Sequence, residues 1–168
     1  MNPLKDNTIT IKKAKRQDVP LILSLIKELA EFEKLPHEVV ATEKAMYKNL
    51  FGQKKFAEVL LAYYDNRPAG MALFFHNYST FEGKPGIYLE DLYVKPEFRS
   101  KGIGKSLLLK LIRIAGKRKC GRVEWAVLDW NQSAIDFYTK LGAECMDSWK
   151  IFRLTKDKIK KINNPQIV

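Results

Sequence analysis

Arg99-Ser100-Lys101-Gly102-Ile103-Gly104 is the stretch whose residue types and spacing point most directly to chemistry. It follows a run that reads as a strand, Gly86 to Val94, closed by Pro96. It leads into Leu107, Leu108, Leu111, Ile112 and Ala115, which fall on one face at helical spacing. A helix start leaves backbone N–H groups without intrahelical partners and carries partial positive charge, so it suits a phosphate. Glycines let an anion approach that backbone with no Cβ in the way, and Arg99, Lys101 and Lys105 add full charges. Two commoner phosphate motifs fail here. Gly104-Lys105-Ser106 matches the end of a P-loop, but that motif needs glycine at position 99, where arginine stands, and only 64 residues follow Gly104. A dinucleotide fingerprint needs glycine at position 107, where leucine stands. What remains is a diphosphate site of another type, or a turn that only redirects the chain.

The surrounding residues resemble the GNAT family of N-acetyltransferases. Its acetyl-CoA motif, Arg/Gln-x-x-Gly-x-Gly/Ala after a strand ending apolar-x-Val, is matched by Leu92-Tyr93-Val94 and then Arg99 to Gly104. Its next motif is matched by Trp130-Asn131-Gln132-Ser133-Ala134-Ile135-Asp136-Phe137-Tyr138, followed by Leu141-Gly142. Within the family the chain is most similar to the spermidine/spermine (diamine) acetyltransferase branch. That likeness rests on Leu25 to Ala30, Phe32-Glu33, Thr42-Glu43-Lys44, Tyr88-Leu89-Glu90-Asp91, Gly102 to Gly104 and Trp130-Asn131. The resemblance implies an α+β fold: a mixed, mostly antiparallel central sheet flanked by helices and splayed at the acetyl-CoA site. It also implies a homodimer with contacts through a C-terminal strand.

The implied reaction is direct acetyl transfer from acetyl-CoA to an amine. Backbone groups of Leu92, Tyr93 and Val94 would hold the pantetheine arm and carbonyl. Arg99, Ser100, Lys101, Gly102, Ile103, Gly104 and Lys105 would wrap the diphosphate. Asn131, Ser133 and Ala134 would contact the cofactor from the following loop and helix. Tyr138 matches the family's general acid; a phenol near pKa ~10 is suited to protonating a departing thiolate whose conjugate acid lies near ~8.5. Glu90 is the expected base, acting through water. Strand alternation sends Glu90 and Asp91 to opposite faces, so one of the two would enter the site. Positions matching the branch's acceptor pocket are Phe32, Glu33, Glu90, Glu124, Asp147 and Trp149. Three departures stand out. A tyrosine of the branch is Phe32 here, an Asp-Pro-Trp stretch is Ser79-Thr80-Phe81, and a histidine position is Glu124. The expected acceptor is a small primary amine, namely a diamine, a polyamine or a thialysine-like amino acid. A peptide amine is the alternative within the family.

Other elements must position these groups. Thr8 to Lys12 alternates as a strand. Asp18 heads a helix with Ile22, Leu25, Ile26, Leu29 and Phe32 on one face and Glu28 and Glu31 on the surface. Pro36 ends that element, and Thr42 caps a second helix to about Leu50. Strands are expected over Glu58 to Tyr64 and Ala69 to Tyr78 with a turn at residues 65–68, then a loop over 79–86. Val123 to Leu128 is a further strand, and Ser133 to Leu141 a helix closed by Gly142. One or two strands are expected within Cys145 to Leu154, and residues 155–168 form a terminal helix and tail. The 168 residues read as one domain without internal repeats.

Net charge is +11, from 30 basic and 19 acidic residues. Ten Lys/Arg against one acid lie between Lys95 and Arg122, whereas Glu28 to Asp91 holds ten acids and seven bases. The late half thus suits an anion and the early half a cation. A nucleic-acid binder using the basic helix after Gly104 is disfavoured, because no recognised motif or aromatic-interleaved basic stripe accompanies it. A fold that binds CoA without transferring acetyl is the third reading. Two cysteines, Cys120 and Cys145, and two histidines, His37 and His76, make neither a disulfide framework nor a metal site. No apolar run approaches the ~20 residues of a membrane span, and the polar start lacks a signal peptide's apolar stretch. The expected setting is cytoplasmic.

Overall fold

The computed structural model describes residues 8–164. The chain forms two compact units, one reaching to Ala126 and one beginning at Val127. The first is a five-stranded sheet in the order β1-β2-β3-β4-β5, with β1 at Ile9–Lys13, β2 at Glu58–Tyr64, β3 at Arg67–Ser79, β4 at Lys84–Val94 and β5 at Val123–Trp125. Neighbours are antiparallel except β4 and β5, which are parallel. The mixed, mostly antiparallel α+β architecture expected from the sequence is the one observed.

Between β1 and β2 lie α1 (Val19–Phe32) and α2 (Glu43–Phe51). The α1 periodicity works as read for Ile22, Leu25 and Leu29, which are buried against Val59, Leu61, Met71 and Tyr93. Phe32, the last residue on that stripe, is 38% exposed. Thr42 Oγ1 accepts from the Ala45 N–H at 3.2 Å and caps α2. Asp18 precedes α1 but spends its carboxylate on the Lys15 N–H at 2.7 Å, fixing the 3-10 turn before the helix.

Alternation along the strands divides the sheet into two apolar faces. Val59, Leu61 and Met71 point toward α1 and α2; Leu60, Ala62, Ala72 and Phe74 are buried on the opposite face. That second face is covered by α3 (Ile103–Lys117), the crossover between β4 and β5. Its buried stripe is Ile103, Leu107, Leu108, Leu111 and Ala115, whereas Ile112, expected on the stripe, is exposed. The hairpin between β2 and β3 turns on Asp65 and Asn66, both at positive φ, as a two-residue turn requires. The expected 79–86 loop is shorter than that: β3 and β4 extend until residues 80–83 suffice to reverse the chain.

An ion cluster ties the C-terminal end of α3 to the sheet. Arg118 donates to both carboxylate oxygens of Glu58, at 2.6 and 3.0 Å, and Lys13 Nζ donates to the same carboxylate at 2.6 Å. Arg118 Nη1 also lies 3.0 Å from His76 Nε2, whose ring Nδ1 is 2.9 Å from the Gly86 carbonyl. Arginine can only donate, so Nε2 is the acceptor and Nδ1 carries the proton. Hydrogen bonds from Arg118 hold the Glu58 carboxyl at about 2, well below its ordinary 4.5. A depressed carboxylate stabilises the fold above its unfolded pKa and loses that contribution as pH falls through the folded value. Glu58→Gln is therefore expected to cost about 1–3 kcal/mol at pH 7, with the difference from wild type shrinking between about pH 4.5 and 2. Urea unfolding at a series of pH values checks this. A difference that stays constant down to pH 2 contradicts it.

The second unit contains α4 (Gln132–Lys140) and α5 (Lys156–Ile162). Asn131 Oδ1 caps α4 by accepting from the Ala134 N–H at 3.2 Å, and Gly142 leaves the helix at φ +87°. Two expectations change here. The strand expected over Val123 to Leu128 ends at Trp125, and no strand forms within Cys145 to Leu154 among the described residues. Trp149, Ile151, Phe152 and Leu154 lie exposed instead. High β-propensity reflects fit to a paired, half-buried surface and does not by itself create a strand.

Candidate active site

The site is built around a fault in the sheet. Leu89 on β4 pairs with Phe74 on β3, and Asp91 pairs with the adjacent Leu73. Glu90 is therefore an extra residue, a β-bulge. Phe74 and Leu73 are neighbours and face opposite ways, and cross-strand partners share a face. Leu89 thus faces α3, and Asp91 faces α1 together with Leu73. The simple alternation that would separate Glu90 from Asp91 is broken at this point. β5 accompanies β4 only as far as Leu89, paired with Trp125, so the two parallel strands part where the bulge begins.

Burial is the main cause pushing the Asp91 carboxyl up to about 6, and the charges of Glu90 and Glu33 add to it. Burial also raises Glu33, the residue that closes α1. Glu33, Glu90 and Asp91 thus share one neighbourhood, as mutual repulsion requires. The sequence points to Glu33 and Glu90 and, by strand alternation, sends Asp91 to the face opposite Glu90. The available signal was an acid flanked by Leu89 and Leu92 in an otherwise apolar strand; the missing information was the bulge.

Glu124 on β5 pairs with Tyr88 on β4. Its carboxylate accepts from Asn77 Nδ2 at 2.6 Å and pairs with Arg122 at 2.9 Å. Its charge is matched by the Arg122 guanidinium. Glu28, expected on the surface, accepts from Lys95 Nζ at 2.9 Å, and the Tyr93 hydroxyl donates to it at 3.4 Å. The bond joins α1 to the end of β4. Burial and Glu28 lift the Tyr93 phenol to about 12. With its ring in the α1 core, Tyr93 has only backbone groups to offer a ligand, as does Ile103, whose side chain is buried under the sheet. Leu92 and Val94 face α3, with Val94 3.7 Å from where a Cβ on Gly104 would stand.

Beyond β4 a 3-10 turn at Pro96–Phe98 leads to the glycine turn. Ser100 and Gly102 both take positive φ, +60° and +79°, and a Cβ on Gly102 would meet nothing within 4 Å. Gly102 caps α3, whose first intrahelical bond runs from the Ser106 N–H to the Gly102 carbonyl at 2.9 Å. The N–H groups of Ile103, Gly104 and Lys105 precede that bond, so they point along the axis toward the turn. Open backbone, three axial donors and the exposed side chain of Lys105 fit a diphosphate. Lys101 lies with its ammonium 5.2 Å from the Tyr64 ring centroid. Arg99 donates from Nε to the Val94 carbonyl at 3.1 Å and sets its guanidinium 4.5 Å from the Phe32 ring centroid.

In the second unit, Asn131, Ser133, Ala134 and Tyr138 all lie on α4 or its cap. Ala134 and Tyr138 are one turn apart on the same helix face. Burial raises the Tyr138 phenol to about 12, so it holds its proton at any physiological pH. Asp147 accepts from Cys145 Sγ at 2.9 Å, and Trp149 is exposed. Among the described residues, no three His, Cys, Asp or Glu come together as metal ligands, and no helix is long and apolar enough to cross a membrane.

Residues 24–143 match the model of the acetyltransferase (GNAT) family. The chain belongs to the GNAT family. Among curated relatives of this GNAT chain, the thialysine N-epsilon-acetyltransferase of Bos taurus is 38% identical over 165 residues, covering 92% of this chain and 96% of the relative. The L-ornithine N5-acetyltransferase NATA1 of Arabidopsis thaliana is 33% identical, covering 94% and 89%. A spermidine/spermine N(1)-acetyltransferase-like protein of Homo sapiens is 31% identical over 89% of this chain but 23% of its own length. Among solved structures, an aminoglycoside acetyltransferase from a soil metagenome superposes with a TM-score of 0.75 at 21% identity, covering 89% and 99% of the two chains. It shares the GNAT fold. This GNAT protein is an acetyltransferase, with acetyl-CoA as the family's acyl donor.

Proposed function

We propose that this protein transfers acetyl from acetyl-CoA to a primary amine of a small, cationic molecule: a diamine, a polyamine, or an amino acid of the thialysine or ornithine kind. The grouping of Glu33, at the end of α1, with Glu90 and Asp91 on the strand that leads into the cofactor turn carries this reading. An amine arrives as an ammonium ion and must lose a proton before it can attack. Carboxylates attract the cation, and one that ionises near neutrality can also accept its proton. In this reading Glu90 takes the proton through water, the amine nitrogen attacks the thioester carbonyl, and Tyr138 protonates the departing thiolate. Main-chain groups of residues 92–94 hold the pantetheine arm, and the amides from Arg99 to Lys105 with the cations of Lys101 and Lys105 hold the diphosphate. Asn131, Ser133 and Ala134 add contacts to the cofactor, and Phe32, Asp147 and Trp149 complete the acceptor pocket. The whole chain acts as one catalytic domain, working as a cytoplasmic homodimer. A second assignment, with Asp91 as the base, draws support from its carboxyl titrating at about 6.

The test is acetyl-CoA consumption, read as free thiol, against spermidine, spermine, putrescine, thialysine, ornithine, lysine and short peptides. Preference for a small amine by tenfold or more in kcat/KM supports the reading. Turnover confined to peptides overturns the acceptor class. Acetyl-CoA binding without turnover overturns the catalytic assignment.

A further inference from the structure

Arg99 stands between two places that the reaction must bring into register. It directly precedes Ser100, where the left-handed turn toward Gly102 begins. Yet its side chain points away from that turn. Nε donates to the carbonyl of Val94, the last residue of β4, at 3.1 Å. The guanidinium lies 4.5 Å from the ring centroid of Phe32, the last residue of α1, which is followed by Glu33. A planar guanidinium can stack on a ring and keep an in-plane N–H bond, which a lysine ammonium cannot reproduce. Phe32 is 38% exposed, and the cation lies over its ring. The next residues, Lys34 at φ +62° and the 3-10 turn at Pro36–Glu38, give the segment after Phe32 no regular helix to hold it.

We propose that Arg99 is a positioning residue that transmits occupancy of the cofactor turn to the acceptor end of α1, through the Phe32 ring and the Val94 carbonyl. A ligand that orders residues 99–105 orders the guanidinium. The stacked ring then holds the last turn of α1 and Glu33 in place. A cation–π contact of this type changes an equilibrium by roughly two- to thirtyfold, enough to register as cooperativity between the two ligands. The inference rests on the acetyl-CoA reading of the turn.

Hydrogen–deuterium exchange with coenzyme A as the probe tests it without knowing the amine. In wild type, saturating coenzyme A should slow amide exchange in the peptide covering residues 30–38 by at least threefold. Phe32→Tyr, which keeps a ring, should retain that protection. Phe32→Leu should abolish it while leaving the coenzyme A Kd within about threefold, and Arg99→Gln, measured at saturation, should behave like Phe32→Leu. Equal protection in Phe32→Leu and wild type overturns the inference and leaves the acetyl-CoA reading intact. Failure of wild type to bind coenzyme A overturns both.

Discussion

Tyr138→Phe is expected to lower kcat about 100-fold while acetyl-CoA affinity stays within about threefold. General acid catalysis contributes roughly 10²–10⁴ in rate, and this substitution removes the hydroxyl that carries the transferable proton while keeping the ring and its packing against Phe137 at 5.2 Å between centroids. Burial holds the phenol at about 12. It is therefore fully protonated throughout the working range, and the wild-type rate should show no Tyr138 ionisation below pH 10. The proton matters because an alkyl thiolate leaves poorly without one. An acyl donor whose thiol is far more acidic needs no such help, so an aryl thioester should shrink the defect of Tyr138→Phe to less than tenfold. An equal defect with both donors would assign Tyr138 to packing.

The second large effect separates the two neighbouring carboxylates. Glu90→Gln is expected to lower kcat/KM about 100-fold near neutrality, as loss of a general base does. Asp91→Asn should lower it less, yet change stability more. Asp91 is raised from 3.8 to about 6 by burial and by two neighbouring acids. A carboxyl raised in the folded state favours folding while protonated and penalises it once ionised. Its cost is thus absent below its unfolded pKa and fully present above about 6. Asparagine removes that cost, so Asp91→Asn should gain on the order of 2 kcal/mol at pH 8, with the gain fading as pH falls from about 6 toward 3.8. Denaturant titrations at pH 8 and 4 measure this, and pH profiles of kcat/KM complete the comparison. If Asp91→Asn suffers the larger kinetic loss and removes an acid limb near pH 6, the base is Asp91.

The strand, turn and helix start around residues 94–104 were legible in the sequence for a physical reason. Proline and glycine act locally, and Pro96, Gly102 and Gly104 bound a strand, a turn and a helix start with little help from the rest of the chain. The core stripe of α1 was likewise readable because helical period is a local property. The acceptor side depends on pairing between distant segments. Nothing in Tyr88-Leu89-Glu90-Asp91 marks one residue as surplus; the register against Phe74 and Leu73 decides it. Long-range partners also explain the other differences. Glu28 is claimed by Lys95, 67 residues away. Glu124 accepts a hydrogen bond from Asn77, 47 residues away, and pairs with the nearby Arg122. The apolar residues Trp149 to Leu154 look like a strand but lie exposed, and no strand forms there among the described residues.

The bulge at Glu90 has an evolutionary corollary. Because Leu89 and Asp91 already pair with consecutive residues of β3, removing Glu90 would join them into an uninterrupted ladder. Every remaining side chain of β4 would keep its present face: Leu89 toward α3, Asp91 and Tyr93 toward α1. An insertion at most strand positions turns the residues beyond it inside out. Here the surplus residue has been absorbed without inverting anything. A lineage can therefore acquire or discard this carboxylate by a single-codon indel, with no compensating changes in the core. Descendants lacking it would be well-folded scaffolds that have lost one acid and the parting of β4 from β5.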